Sequence, residues 1–94
     1  MSGAAKAAPS PRADASIDTV GLYCPIPIIR TAERIRAMAA GEILEIVSDD
    51  RVILLDLPAW CRSTGNEYIG HREEDREMHL LVRVGHGAAE ARHE

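Results

Sequence analysis

The 94-residue chain contains no phenylalanine, one tryptophan and two tyrosines. So few rings give no platform on which the bases of a single strand stack. Cationic residues are not in excess either: 11 Lys and Arg face 15 Asp and Glu, a formal net charge of −4. Phosphate neutralisation needs clustered cations, so no direct nucleic-acid contact is expected. No run approaches the ~20 apolar residues that cross a bilayer. The first 14 residues, rich in Ala, Pro, Ser and Gly, lack the apolar stretch of a secretory signal. Only two cysteines occur, Cys24 and Cys61, 37 positions apart. They form no Cys-x-x-Cys pair, and no His/Cys cluster has zinc-like spacing. The expectation is no metal, no cofactor, and two free thiols in a reducing cytoplasm.

What the chain does have is Cys24-Pro25-Ile26-Pro27, placed where a strand-like segment, Ile17 to Val20, passes through Gly21-Leu22-Tyr23 into an amphipathic run from Ile28 to Ala40. A proline at the first helical position is preset for helical φ and loses only an N–H that has no partner. A second proline two residues on is tolerated for the same reason. Cys24 therefore reads as the N-cap, its sulfur facing the positive end of the helix dipole. Because Pro27 has no N–H, only that of Ile26 remains among the usual donors to a cap. A stiffly held, lightly hydrogen-bonded, exposed thiol is expected. The helix end is worth ~0.3–1 kcal/mol to a thiolate, enough to lower the thiol modestly. The plain alternative is a small residue filling the first turn; the strand–Gly-x-x-Cys-Pro-x-Pro–helix context favours a working thiol.

The rest of the chain alternates elements. Ile28, Ala32, Ile35 and Ala39 recur at helical spacing, flanked by Ile29 and Met38, and Gly41 supplies a stop. Ile43 to Val47 reads as a strand with Leu44 and Ile46 on one face and Glu45 on the other. Ser48-Asp49-Asp50 reads as a turn and cap rather than a metal site. A second helix spans Arg51 to Thr64, with Ile53, Leu57, Trp60 and Cys61 on one side. Pro58 should kink or restart it near residues 56–58. Glu67 to Arg72 and Glu77 to Val84 read as strands around a loop at residues 73–76. Met78, Leu80, Val82 and Val84 alternate with Glu77, His79, Leu81 and Arg83, and Leu81 suggests that both faces are partly covered. The order β-α-β-α-β-β predicts a two-layer α/β (α+β) sandwich, with parallel neighbours from the crossovers and one antiparallel strand from the hairpin. The domain should span 15–85, between a disordered tail at 1–14 and a flexible one at 86–94.

Residues 18–27 (DTVGLYCPIP), 41–50 (GEILEIVSDD), 56–65 (DLPAWCRSTG) and 78–83 (MHLLVR) together resemble the TusA-like (SirA-like) sulfur-carrier family. The resemblance covers about residues 16 to 85. It implies a four-stranded mixed sheet with two helices on one face, like the C-terminal domain of translation initiation factor three, with the fourth strand between the second and third. It also implies that Cys24 accepts a sulfane sulfur as a covalent persulfide and relays it. Gly21, Pro25, Ile26 and Pro27 would then present the thiol. The implied partners are a cysteine desulfurase or other sulfur donor and a downstream sulfur-acceptor protein, in tRNA thiolation or another sulfur-trafficking pathway. Three positions depart from the family pattern: Ile26, where some relatives carry a charge, Asn66 in place of a common histidine, and Arg51 in place of the usual proline.

No histidine lies near Cys24 in sequence to act as its base; the four are at 71, 79, 86 and 93. A monomeric carrier acting with partner enzymes is therefore expected rather than an independent enzyme. Cys61 reads as a packed structural thiol. Arg30 and Arg34, one turn apart on the outer face of the first helix, would suit an acidic partner edge or an ordinary solvated face equally. The competing function is a small non-catalytic protein- or RNA-binding regulatory module. A thiol redox protein is a weaker alternative, for want of a resolving cysteine near Cys24.

Overall fold

Leu44 and Ile46 alternate with Glu45 and Val47, yet all four are buried. The strand that carries them is interior to a sheet and covered on both faces. In the computed structural model residues 12–85 are described; the tails expected at 1–14 and 86–94 fall almost wholly outside them. The elements are β1 (Ala15–Asp18), α1 (Ile26–Ile35), β2 (Ile43–Ser48), α2 (Ile53–Thr64), β3 (Glu67–Glu74) and β4 (Glu77–Arg83). The sheet order is β1-β2-β4-β3. β1 runs parallel to β2, and β4 is antiparallel to both β2 and β3. This is the four-stranded mixed sheet, with β4 between β2 and β3, that the family resemblance implies. A β-α-β crossover leads from β2 to β3 but leaves a gap one strand wide, which the returning hairpin strand fills.

The core lies where Leu44, Ile46, Leu80 and Val82, all without exposed surface, meet the two helices. α2 contributes Ile53, Leu57 and Cys61 as expected. α1 buries Pro27, Thr31 and Ile35; of the predicted stripe Ile35 is in the core and Ile28 and Ala32 are partly buried, while Ala39 is exposed, so the buried face is centred about one residue away. The buried Thr31 hydroxyl is satisfied because it donates to the Pro27 carbonyl at 2.8 Å. Ile29 is consequently left outside. α1 also stops at Ile35, short of the predicted Ala40. Tightened turns follow, with Ala37 N–H on Arg34 O and Met38 N–H on Ile35 O, each at 3.0 Å. They swing Met38 into the core while the Glu42 carboxylate accepts from Ala39 N–H.

Three further expectations change. α2 is one continuous helix with Pro58 inside it, without the predicted restart; the ring removes one donor, and the packed stripe on either side keeps the rest in register. The hairpin loop is only Asp75-Arg76, both at positive φ (52° and 70°), so β3 runs on to Glu74. Glu45 does not face solvent. It is 2% exposed and meets the His79 ring at 3.1 Å and the Arg72 guanidinium at 3.4 Å. A carboxylate this deep needs such partners. Among the described residues no helix is long and apolar enough to cross a membrane.

The end of the domain is closed by a backbone contact that only glycine permits. A Cβ on Gly85 would sit 2.5 Å from the Gly65 carbonyl oxygen. Asn66, a departure from the family pattern, holds the two segments together by accepting Gly85 N–H on its side-chain oxygen at 2.9 Å. Gly85→Ala should therefore lower unfolding free energy by about 1–3 kcal/mol, measured by urea denaturation. A change smaller than about 0.5 kcal/mol would show that the two backbones separate freely.

Candidate functional site

β1 and β2 are parallel neighbours, so both strand-to-helix connections leave the same end of the sheet. The first connection is pinned at its start by Thr19, whose N–H and hydroxyl both donate to the Val47 carbonyl at 2.7 Å. Gly21 then turns at φ 88°, a conformation that disfavours side chains. Its N–H donates to an Asp49 carboxylate oxygen at 3.0 Å. Cys24 N–H donates to Asp50 Oδ2 at 2.8 Å. The other Asp50 oxygen accepts Val52 N–H at 3.1 Å, at the start of α2. The paired aspartates thus do more than cap a turn: they tie the cysteine loop to the entrance of the second helix. Sequence reasoning saw the turn but had no signal for the partner across space.

Cys24 is not the N-cap. Pro25 takes that place with no side-chain cap bond, Ile26 opens the helix and Pro27 is its second residue. The Ile26 N–H that was to serve the sulfur donates instead to the Tyr23 carbonyl at 2.9 Å. The Cys24–Pro25 peptide bond is cis. Pro27 is buried, whereas Ile26 stands 39% exposed. Cys24 itself is half-buried, its side chain packed at the margin of the core.

The electrostatics run opposite to the expectation. The Cys24 thiol is pushed up to about 11, first by burial, then by the negative charges of Asp50 and Asp56, and last by a hydrogen bond to the Asp56 carboxylate. A helix end contributes less than about one pKa step in favour of a thiolate. Two carboxylates and lost hydration outweigh it. At neutral pH the group is a thiol. Asp56, in the first turn of α2, is a residue sequence reasoning missed; an acidic side chain there looks like ordinary helix-end chemistry. Cys61 is 1% exposed, and burial pushes it up to about 12. It is a packed core thiol.

Arg30 and Arg34 are exposed on α1 and line an open cleft of about 350 Å³. The cleft lies between α1 and the end of β1, and Asp18, Thr19 and Glu33 share its walls. The two arginines are brought together, but with acidic neighbours. Among the described residues no group of His, Cys, Asp and Glu is arranged to hold a metal ion.

The family described as sulfurtransferase TusA matches residues 15–84. A Bacillus subtilis protein, YrkF, is 42% identical over 69 residues; the match takes in 73% of this chain and only 37% of that longer protein. The sulfur carrier protein TusA of Allochromatium vinosum is 34% identical over 70 residues, 74% of this chain and 92% of that one. Among solved structures, a SirA-like protein from Desulfitobacterium hafniense superposes with a TM-score of 0.62 at 23% identity. The superposition covers 76% of this chain and 97% of that structure, a likeness of fold.

In the isolated protein, alkylation of Cys24 by iodoacetamide should keep accelerating toward about pH 11, without levelling near the ordinary thiol range of about 8.5. Asp56→Asn removes a charge that disfavours the thiolate, so it should move the profile to lower pH. Stopped-flow rates against pH check both. A wild-type plateau below about pH 8.5, or an unmoved Asp56→Asn profile, would contradict this assignment.

Proposed function

The chain belongs to the TusA sulfurtransferase family, and on that premise we propose that it is a sulfur carrier whose Cys24 receives, holds and passes on a sulfane sulfur. The observation that carries the reading is the position of Cys24: half-buried at the mouth of the β1–α1 connection, with its backbone fixed by Asp50. Gly21, Pro25, Ile26 and Pro27 set the path of the loop that presents it.

In the proposed loading step the Cys24 sulfur attacks the outer sulfur of a donor persulfide. The donor S–S bond breaks and its electron pair leaves on the donor cysteine. A new S–S bond forms on Cys24, and the Cys24 proton ends on the donor thiol. Nothing is oxidised or reduced overall. In unloading, an acceptor thiolate attacks the outer sulfur, and Cys24 leaves and regains a proton. Attack depends on thiolate, and release depends on a low-pKa leaving group. A thiol held protonated by burial and by Asp50 and Asp56 is slow at both. That suits a carrier that keeps its sulfur between encounters. The proposed partners are a cysteine desulfurase or other donor, and an acceptor in tRNA thiolation or another trafficking route. The proposed compartment is the cytoplasm, which agrees with two free thiols. The exposed Arg30 and Arg34 are proposed to meet an acidic edge of a partner.

Incubation with a cysteine desulfurase and sulfur-labelled cysteine should place label on Cys24, mapped by mass spectrometry. Cys24→Ser should abolish it and Cys61→Ser should not. Label on Cys61 that survives Cys24→Ser would overturn the proposal. Arg30→Glu with Arg34→Glu should slow transfer between proteins at low salt, and the deficit should shrink as salt screens beyond about 8–10 Å. Equal rates at low salt would leave both arginines as a solvated face.

A further inference from the structure

The large hydrophobic side chains exposed among the described residues are Val20, Tyr23, Ile26, Ile29, Val52 and Leu55. They are not scattered. Four belong to the β1–α1 connection and the first turn of α1, and two to the entrance and first turn of α2. Since β1 and β2 are parallel neighbours, these segments share one end of the molecule. The Cys24–Asp50–Val52 hydrogen bonds stitch them together. Tyr23 is 74% exposed and Leu55 78%, while neither packs on the core. Exposed apolar side chains gathered at one end of a small domain point to an interaction site.

Its charge has one sign at the centre. No Lys or Arg occurs from Ala13 to Ile29. On the other segment Asp50 and Asp56 act on the thiol, and Asp49 holds Gly21 N–H. The cation there, Arg51, is turned to β3, where its guanidinium meets the Glu73 carboxylate at 3.2 and 3.3 Å. An apolar rim around an acidic centre is complementary to an apolar surface around a basic group.

Resting on the carrier reading above, we infer that this end of the molecule docks a partner protein whose reacting cysteine sits in an apolar loop beside a lysine or arginine. The apolar rim seats the loop. The basic group comes up to Asp50 and Asp56 from the open side and offsets their field, so Cys24 loses its proton more readily in the complex than alone. Activation is thus supplied by the partner and ends when it leaves. Arg30 and Arg34, in the cleft on the β1 side of α1, lie at the margin of this surface.

Four synthetic peptides test the idea. Each carries one cysteine activated as a mixed disulfide with 2-thiopyridine, with leucines or serines around it and lysine or glutamate beside it. Cys24 attacks the peptide sulfur, forms the protein–peptide disulfide and releases 2-thiopyridone, which is followed by absorbance. The leucine–lysine peptide should react fastest. Lysine should outpace glutamate by about tenfold at low salt, less at high salt, and leucine should outpace serine by about fivefold. Tyr23→Ser with Leu55→Ser, both at largely exposed positions, should remove the leucine preference and keep the lysine preference. Asp56→Asn should do the reverse. Equal rates for lysine and glutamate, or for leucine and serine, would overturn the docking surface. The desulfurase labelling test is separate: label on Cys24 without any peptide preference removes this surface and leaves the carrier. Peptide preference without label does the opposite.

Discussion

One carboxylate organises the working end of this molecule. Asp50 accepts the Cys24 N–H on one oxygen and the Val52 N–H on the other. These donors belong to two different strand-to-helix connections, 28 residues apart along the chain. Charge-assisted bonds to backbone N–H groups are among the stronger ones. Here they fix the cysteine loop against the second helix without any contact to the sulfur. Asp49 repeats the device one residue earlier by holding Gly21 N–H. Position is thus set through the backbone, while the thiol itself meets the Asp56 carboxylate.

Asp50 also tunes the chemistry it positions. Burial favours the protonated thiol most, and the negative charges of Asp50 and Asp56 add to it. An enzyme acting alone would be penalised by this, because its nucleophile would be almost absent at neutral pH. A carrier gains from it, since a reluctant leaving group does not surrender its cargo to stray thiols. Cys61 shows the contrast: burial alone keeps it protonated, with no carboxylate acting on it, and it is 1% exposed in the core.

Much of this was legible in the residues. Alternation in β4 and the apolar stripe of α2 located the core, and the β-α-β-α-β-β order fixed the layers. The glycine before and the prolines after Cys24 marked the site. The failures have physical causes. The α1 stripe was misread because a buried threonine paired with its own helix carbonyl passes for a polar surface residue. Glu45 was misread because alternation assumes one wet face, and this sheet buries both faces at its centre. The cap was misplaced because two prolines leave several ways to begin a helix, and the chain chose the one in which Tyr23 takes the Ile26 N–H. The rise of the thiol pKa was missed because it comes from burial in the folded chain and then from residues 26 and 32 positions away. Local sequence around Cys24 contains no trace of them.

The buried Glu45–His79 pair has a consequence for strand pairing. On β2 and β4, Leu44, Ile46, Leu80 and Val82 face the helices, while Glu45 and His79 face away. Sliding β4 against β2 by one residue would turn every β4 side chain over. The His79 imidazole would then be forced under the helices, away from Glu45, and Leu80 and Val82 would leave the core. An all-aliphatic pair of central strands would tolerate that slip far better. The pair therefore acts as a key that admits a single alignment of the two central strands. Because β2 ends directly in Asp49 and Asp50, that alignment also decides where the two aspartates meet the cysteine loop.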